Sequence, residues 1–196
     1  MTPRQPAAQT ETGRTSPPRI HVVGRRNSGK TTFVCELVRY FRNQGLRVAT
    51  VKHTHHHHEL DTPGKDSYLH REAGATAVGI LSPQMTALFV PEKRDDRGTD
   101  RYVRFEQAFS DCDLIIVEGD LHTQAVRVEV WRREASEEPY AVTEHGISAV
   151  ITDDSVTVPE CEIWQRSDIS RAGQKICQLL GVNQQPETPT TTSSPG

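Results

Sequence analysis

The feature that most constrains this chain is the segment Gly24-Arg25-Arg26-Asn27-Ser28-Gly29-Lys30-Thr31-Thr32. Its first eight residues match the pattern G-x-x-x-x-G-K-[ST], and a short apolar run at residues 20–23 precedes it. In this pattern small residues let consecutive backbone N–H groups curl around a phosphate at the N-terminus of a helix. The segment therefore predicts a P-loop that joins a buried strand to a helix and binds a nucleotide.

The side chains of the P-loop have distinct expected tasks. Lys30 would neutralise the β and γ phosphate oxygens, and the Thr31 hydroxyl would bind Mg²⁺. The other expected nucleotide contacts come from Gly24, Asn27, Ser28, Gly29 and Thr32. A chance glycine-rich turn is the alternative, and it is disfavoured because the complete motif coincides with a strand and a helix.

A second motif is the apolar run at residues 114–117, the most apolar in the chain, which is followed by Glu118. An acidic residue at the carboxyl end of a buried strand can reach a metal ion or order an attacking water. A polar residue that merely ends a strand would be the simpler explanation for this run alone. With a P-loop upstream, we expect Glu118 to be both the catalytic residue and a Mg²⁺ ligand.

The remaining apolar patterns predict an α/β protein of the P-loop NTPase-like three-layer type, with a mostly parallel sheet and some antiparallel strands. Expected strands lie at 20–23, 46–51, 114–117, 126–132 and 147–151, and expected helices at 30–43 and 101–109. Residues 77–81 and 86–90 suit a hairpin, followed by a surface insert at 92–100. Asp66 or Ser67 could cap a short helix, and Ser167 with Asp168 could cap a terminal one.

Composition limits the partners and the compartment. The net charge of −3, from mixed basic and acidic residues, gives no reason to expect nucleic-acid or membrane-surface binding. No apolar run approaches the ~18–20 residues that span a bilayer. The four cysteines form no C-x-x-C pair, so we expect reduced thiols in a soluble, cytoplasmic protein.

The two ends of the chain differ in composition from its middle. Residues 1–18 and 183–196 are rich in Pro, Thr, Ser and Gln and poor in apolar side chains. Such segments bury too little apolar surface to offset the entropy of ordering. We therefore expect disordered tails at 1–18 and 183–196 around one nucleotide-binding domain at 19–182.

A histidine tract, His55-His56-His57-His58, follows Lys52 within a polar stretch that contains Asp61 and Asp66. Adjacent side chains of an extended strand point to opposite faces, so four consecutive histidines cannot all bind one ion unless the backbone turns sharply. We favour a solvated loop that contacts a ligand or partner. Direct metal capture by the tract is the alternative.

The sequence holds no N-K-x-D motif for reading a guanine base. Thr152-Asp153-Asp154 is the nearest substitute, because it follows a predicted strand at the carboxyl edge of the sheet. We expect Asp153 to contact the nucleotide base. An Asp-rich turn without such a role is an equal alternative.

These motifs together resemble the MobB family of molybdopterin-guanine dinucleotide biosynthesis adapter proteins. The resemblance covers residues 19 to about 154, and its most specific parts are Val51-Lys52-His53-Thr54-His55-His56-His57, Asp61-Thr62-Pro63-Gly64-Lys65-Asp66-Ser67-Tyr68 and His70-Arg71-Glu72-Ala73-Gly74-Ala75. It implies a homodimeric P-loop protein of the doubly wound type that binds GTP with Mg²⁺ and hydrolyses it slowly. The implied partner is the molybdenum cofactor guanylyltransferase, which joins GMP to molybdopterin.

The resemblance also implies roles for single residues. Lys52 and Asp66, at the two ends of the loop after the second strand, would contact the nucleotide. Lys65, His70 and Arg71 would be candidates for contacts with the phosphate of a molybdopterin-type ligand or with a partner protein.

The chain departs from the family pattern in two places. Arg25-Arg26-Asn27 stands where family members usually carry small residues, and Asp120-Leu121 stands where Phe-Lys is typical. The second departure weakens any expected partner contact after Glu118. For the first, one hypothesis is that Arg25 reaches the nucleotide of a second subunit.

Two other functions share parts of this sequence pattern. A metallochaperone GTPase could use His55 to His58 to deliver nickel or zinc, although no cysteine stands beside these histidines. A small-molecule kinase would need a basic lid over the phosphoryl group, whereas the insert at 92–104 mixes basic and acidic residues. We therefore rank the adapter first, the metallochaperone second and the kinase third.

Overall fold

The computed structural model describes residues 16–54, 59–91 and 100–183, which form two compact units. The first unit takes in residues up to His53 and from Tyr102 onwards, and the second is Thr54–Arg101. The expected tails lie almost wholly outside the described residues. The bounds of a single nucleotide-binding domain at 19–182 stay a prediction.

The elements follow one another in an alternating order of strands and helices. In chain order they are β1 (Arg19–Val23), α1 (Lys30–Asn43), β2 (Val48–Lys52), α2 (Asp66–Glu72), β3 (Val78–Leu81), β4 (Thr86–Phe89), α3 (Val103–Ala108), β5 (Leu114–Glu118), β6 (Val126–Val130), a 3₁₀ helix (Tyr140–Val142), β7 (Ile147–Ile151), β8 (Glu162–Trp164) and α4 (Ile169–Leu180). The predicted bounds of α1 are confirmed at both ends.

The first unit is built on a six-stranded sheet in the order β2-β5-β1-β6-β7-β8, in which every neighbouring pair is parallel. The four apolar residues of β5 are fully buried, as the predicted interior strand requires. β1 lies between β5 and β6. After β1 the chain continues to β2 at one edge of the sheet, and after β5 it continues to β6 on the opposite side of β1. The carboxyl end of β1 is therefore a topological switch point.

Helices cover both faces of this sheet, which confirms the three-layer α/β class. On one face α1 and α4 pack on the strands through Phe33, Leu37, Phe41, Ala172 and Ile176. On the other face Tyr102 and Phe109 lie at the two ends of α3 and pack against β2 and β5. A smaller cluster around Trp131 and Val150 lies on β7 and the segments that flank it.

The second unit contains α2 and the hairpin formed by β3 and β4. The predicted antiparallel pair is confirmed, with Val78 opposite Phe89 and Leu81 opposite Thr86. The predicted cap of α2 is wrong. Lys65 precedes the helix, no side chain caps it, and Asp66 is its first residue. The Ser67 hydroxyl instead donates to Asp61 Oδ1 over 2.9 Å.

Several other bounds differ from the predictions. β2 begins at Val48 and includes Lys52, which makes Lys52 the last strand residue rather than the start of the loop. α3 is shorter than its predicted range of 101–109, and β6 ends at Val130. β8 and the 3₁₀ helix were not predicted. At the terminal helix the prediction holds, since the Asp168 side chain accepts from the Arg171 backbone N–H.

Among the helices of the described ranges, none is long and apolar enough to cross a bilayer.

Candidate phosphate-binding site

The P-loop follows β1 in a backbone conformation that its glycines make possible. A Cβ on Gly24 would stand 2.3 Å from the Val130 carbonyl oxygen, so only glycine fits between the loop and β6. Gly29 and Asn27 take left-handed φ values of 93° and 64°. The Ser28 N–H closes a turn by donating to the Arg25 carbonyl over 3.2 Å. The loop therefore curls tightly before α1 begins at Lys30.

Polar groups converge where this loop meets α1. The Lys30 ammonium donates to the Arg25 carbonyl oxygen over 2.6 Å, across the curled loop. Burial lowers the pKa of Lys30, and the nearby Glu118 opposes that shift. Ser28 is almost fully buried, and its Oγ has no hydrogen-bond partner among the described residues. An orphaned hydroxyl, a partly desolvated ammonium and a helix N-terminus suit a phosphate group.

The acidic strand β5 ends beside this loop. One oxygen of Glu118, Oε1, accepts from the Thr31 hydroxyl over 2.7 Å and from the Lys52 ammonium over 2.8 Å. Lys52 is the register partner of Glu118 across β2 and β5, so the sheet itself fixes the second contact. The predicted residues Lys30, Thr31, Lys52 and Glu118 are thus brought together at the carboxyl ends of three strands.

The charges around Glu118 favour its ionised form. Burial raises the pKa of this carboxyl, and the hydrogen bonds from Lys52 and Thr31 oppose that effect. The positive charges of Lys52 and Lys30 act in the same direction, so the pKa lies below its usual value. An ionised carboxylate next to a threonine hydroxyl is a donor set that suits Mg²⁺.

A partly buried polar cluster lies next to Glu118 in the first unit, where the His53 N–H donates to the Glu118 carbonyl over 2.9 Å. The Tyr102 hydroxyl donates to Asp120 Oδ2 over 2.8 Å and lies 2.8 Å from His53 Nδ1. A phenol has one hydrogen, so His53 Nδ1 carries its own hydrogen and donates to the Tyr102 oxygen. Residues that follow β2 and β5 are therefore joined through a tyrosine that precedes α3.

His21 extends this cluster into the sheet. Its Nε2 accepts from Arg19 Nε over 3.1 Å, so the hydrogen resides on Nδ1, which lies 3.3 Å from the Gly119 carbonyl oxygen. Burial and the Arg19 charge lower the pKa of His21 to about 4, against the opposing effects of Gly119 and Asp120. His21 is consequently a neutral, structural histidine at neutral pH.

Asn27 and Thr32 lie where the P-loop prediction puts them, one in the loop and one in the first turn of α1. Asp153 follows β7 and lines an open cleft of about 560 Å³ with Thr152, Asp154, Ile163 and Gln165. Its Oδ1 accepts from both the N–H and the hydroxyl of Ser167 at 3.0 Å. Among the described residues no hydrogen bond joins Asp153 to the P-loop, and its role in base reading stays a prediction.

Other candidate residues belong to the second unit. Asp66 is an exposed residue that opens α2, and Lys65 and His70 are also exposed. The Arg71 guanidinium is paired with Glu59 over 2.7 Å, and this hydrogen bond raises its pKa. Arg71 is therefore already bound to a carboxylate, whereas Lys65 and His70 keep exposed side chains.

The histidine tract, His55 to His58, lies outside the described residues. Within the described ranges, no group of three or more His, Cys, Asp or Glu side chains is arranged to hold a metal ion.

Four polar residues of this region were not predicted as site residues: His21, Tyr102, Asp120 and Glu129. Glu129 carried no clear signal, because residues 126–130 alternate apolar and charged side chains, a pattern typical of a strand with one solvated face. Tyr102 carried no signal either, since it stands next to the insert and its partners are distant in sequence.

Known proteins resemble this chain in sequence. A family model described as "Molybdopterin guanine dinucleotide synthesis protein B" matches residues 19–153. The molybdopterin-guanine dinucleotide biosynthesis adapter protein of Escherichia coli (strain K12) is 32% identical over 142 residues, which are 72% of this chain and 81% of that protein. These matches give no support to the metallochaperone alternative.

Solved structures resemble the fold as well. A crystal structure of molybdopterin-guanine biosynthesis protein B (mobB) matches with a TM-score of 0.62 at 29% identity, over 83% of this chain and 99% of that chain. The crystal structure of Bacillus subtilis MobB matches with a TM-score of 0.64 at 26% identity, over 83% of this chain and 98% of that chain.

Proposed function

Because the chain belongs to the molybdopterin guanine dinucleotide synthesis protein B family, we propose that it is a GTP-binding adapter in molybdenum cofactor biosynthesis. It would assist the guanylyltransferase that attaches GMP to molybdopterin. The family match supports the role in molybdenum cofactor biosynthesis. One structural observation supports nucleotide binding: the P-loop cation Lys30 and hydroxyl Thr31 lie beside the ionised Glu118 at the switch point of the sheet.

The P-loop would hold the phosphates of GTP. Its backbone N–H groups would surround a phosphate, and the Lys30 ammonium would exchange the Arg25 carbonyl for phosphate oxygens. The Ser28 hydroxyl, which has no partner in the described residues, gains one in the same step. Asp153 would read the base from the cleft after β7.

Thr31 and Glu118 would hold Mg²⁺, which neutralises phosphate charge when bound. Both side chains already meet at one carboxylate oxygen, and the Lys52 ammonium occupies the same oxygen. Lys52 must therefore share or leave Glu118 Oε1 when a divalent cation is held there. Slow hydrolysis would use Glu118 to order the attacking water.

Nucleotide occupancy would be coupled to the loop after β2 through Lys52. This residue ends β2, and His53, next in the chain, is tied to Tyr102 and Asp120. A change at Glu118 therefore acts on the strand end from which residues 54–66 continue. We propose that this loop, with Asp66 at its end, docks on the guanylyltransferase, and that Lys65 and His70 favour an anionic molybdopterin-type ligand. The working form would be a homodimer.

Reconstitution of the guanylyltransferase reaction tests the proposal. The purified guanylyltransferase is supplied with molybdopterin, Mg²⁺ and GTP, and formation of molybdopterin guanine dinucleotide is measured with and without this chain. We expect stimulation by the wild type and none by Lys30→Ala. Arg39→Ala is the matched control, because it removes an exposed positive charge from the same helix, and it should stimulate like the wild type. Equal stimulation by Lys30→Ala would contradict the nucleotide-dependent adapter.

A further inference from the structure

Two arginines stand next to each other in the P-loop, and the structure places them differently. The Arg25 guanidinium carbon lies 4.5 Å from the centroid of the Tyr140 ring, which is a cation–π distance. Arg26 is exposed and makes no ring contact, ion pair or side-chain hydrogen bond among the described residues. Only one of the two loop cations is therefore held in place.

The backbone of Tyr140, whose ring holds Arg25, is fixed by a buried carboxylate. Glu129 is 0% exposed, and its two oxygens accept from the Tyr140 N–H over 2.8 Å and from the Ala141 N–H over 2.9 Å. These N–H groups open the 3₁₀ helix, and they are donors that would otherwise need another partner. A buried acid at this position is costly unless it is so paired. The backbone that carries the Tyr140 ring thus has a defined position.

The same strand that carries Glu129 also shapes the P-loop. Glu129 is the register partner of Val23, the last residue of β1 before the loop. The next residue, Val130, supplies the carbonyl oxygen that leaves no room for a Cβ on Gly24. The Tyr140 support and the P-loop are therefore anchored to neighbouring residues of β6, and their relative position is set by the sheet.

The positive charges of Arg25 and Lys30 both act on Glu129. Burial raises the pKa of Glu129, and its backbone hydrogen bonds, followed by the positive charges of Arg25 and Lys30, oppose the rise. The Lys30 ammonium also contacts the Arg25 carbonyl. The backbone of Arg25 thus lies within hydrogen-bond distance of the P-loop ammonium, while its guanidinium is held on the Tyr140 ring.

We propose that Arg25 is a second phosphate-binding cation that contacts the terminal phosphate of a nucleoside triphosphate bound in its own chain, and that Tyr140 and Glu129 are its positioning residues. This proposal rests on the proposed nucleotide site. It differs from the expectation that Arg25 serves a second subunit, because Tyr140, whose ring holds Arg25, belongs to the same chain. A pre-positioned guanidinium loses less side-chain entropy on binding than a free one.

The affinities for GTP and GDP, each measured with Mg²⁺, separate Arg25 from Arg26. A charge-assisted hydrogen bond to the terminal phosphate exists only for the triphosphate. We expect Arg25→Ala to weaken GTP binding about tenfold or more and GDP binding less than about twofold. Arg26→Ala removes the same charge one residue away, and it should weaken the binding of both nucleotides slightly and to the same extent. Equal GTP and GDP losses in Arg25→Ala, or identical behaviour of the two variants, would overturn the proposal.

Variants of Tyr140 test the positioning role. Tyr140→Leu removes the ring, and it should lower GTP affinity in the same direction as Arg25→Ala without lowering GDP affinity. In the Arg25→Ala background the same change should add little, since the guanidinium is already absent. Tyr140→Phe keeps the ring and should behave like the wild type. A full additional loss in the double variant would show that Tyr140 does not act through Arg25.

Mixing two variants decides which chain Arg25 serves. Lys30→Ala subunits cannot hold the nucleotide but retain Arg25, and Arg25→Ala subunits hold it but lack the second cation. If Arg25 acts within its own chain, the mixture keeps the low ratio of GTP affinity to GDP affinity that is measured for Arg25→Ala alone. Recovery of the wild-type preference on mixing would overturn the proposal in favour of a second subunit. If Lys30→Ala alone still binds GTP, the proposed nucleotide site fails instead, and the two failures are thereby distinguished.

Discussion

The two compact units bury their apolar side chains to very different extents. In the first, whole strands and one face of α1 and α4 are removed from water, with Phe33, Leu37 and Ile116 at 0% exposure. In the described part of the second, Val78 is the one large apolar side chain that is buried, whereas Leu81, Met85 and Leu88 are 85%, 72% and 68% exposed. A hairpin and a two-turn helix seldom hold together alone.

This difference indicates that the first unit provides most of the stability, whereas the second unit is the part that changes conformation more easily. The P-loop, Glu118 and their supporting side chains all stand on the deeply buried unit, which keeps a phosphate site rigid. The second unit relies on local hydrogen bonds and few buried apolar contacts, so its opening costs least. A proposed adapter needs both properties, a fixed nucleotide grip and a segment that changes with occupancy.

Equivalent leucine deletions in the two units give the largest expected contrast. Leu37 is fully buried in α1, whereas Leu88 is mostly exposed on β4. We expect Leu37→Ala to lower the free energy of unfolding by ~2–5 kcal/mol, and Leu88→Ala by less than ~0.5 kcal/mol. Urea unfolding followed by circular dichroism measures both. Similar losses in the two variants would mean that Leu88 is buried in a hydrophobic core of the second unit, which would contradict this contrast.

Acid should weaken the first unit through His21. Its pKa is near 4 in the folded chain and 6.5 when unperturbed, so between these values the unfolded state binds more protons. Stability contributed by neutral His21 is therefore complete above pH 6.5 and is lost as the pH falls towards 4, by up to ~3 kcal/mol. Arg19, His53, Tyr102 and Asp120 surround the ring.

Urea unfolding at several pH values between 7 and 4, with His21→Gln as the control, measures this loss of stability. The difference between the wild type and the variant should shrink as the pH falls. A difference that is constant over that range would show that His21 is not the titrating group.

The smallest expected effect is local to the second unit. Asp61 is buried there, and its Oδ1 accepts from the Thr62 N–H over 2.8 Å and from the Ser67 hydroxyl over 2.9 Å. Asp61→Ala should lower the cost of local opening by ~1 kcal/mol without changing global unfolding. Hydrogen exchange should therefore quicken at residues 61–72 and stay unchanged in β1, β5 and β6. Asp61→Asn keeps an acceptor oxygen and should restore most of the protection.

The part of the fold that sequence predicted well is the part with a clear period or a complete motif. Helix 30–43 has Phe33, Leu37 and Phe41 at helical spacing, and β5 is a run of buried apolar residues that ends at Glu118. The P-loop joins β1 to this helix through backbone geometry that its motif encodes. The sequence alone therefore predicts that Lys30, Thr31 and Glu118 lie at one site.

The remainder depends on contacts between residues that are distant in sequence and lie in segments without a period. Tyr102 and His53 are 49 residues apart, and Glu129 meets Tyr140 across an irregular connection. β8 has three residues, two of them exposed, which gives no alternation to detect. The cap of α2 was predicted wrongly because Ser67 donates its hydroxyl to Asp61 instead.

The central claim, that the P-loop and Glu118 form a nucleotide site, is tested most directly by titration calorimetry with GTP. The wild type should bind GTP in a Mg²⁺-dependent manner, and Lys30→Ala should bind about a hundredfold more weakly or not at all, because the partly buried cation of the P-loop is lost. GTP binding by Lys30→Ala with the affinity of the wild type would contradict the account.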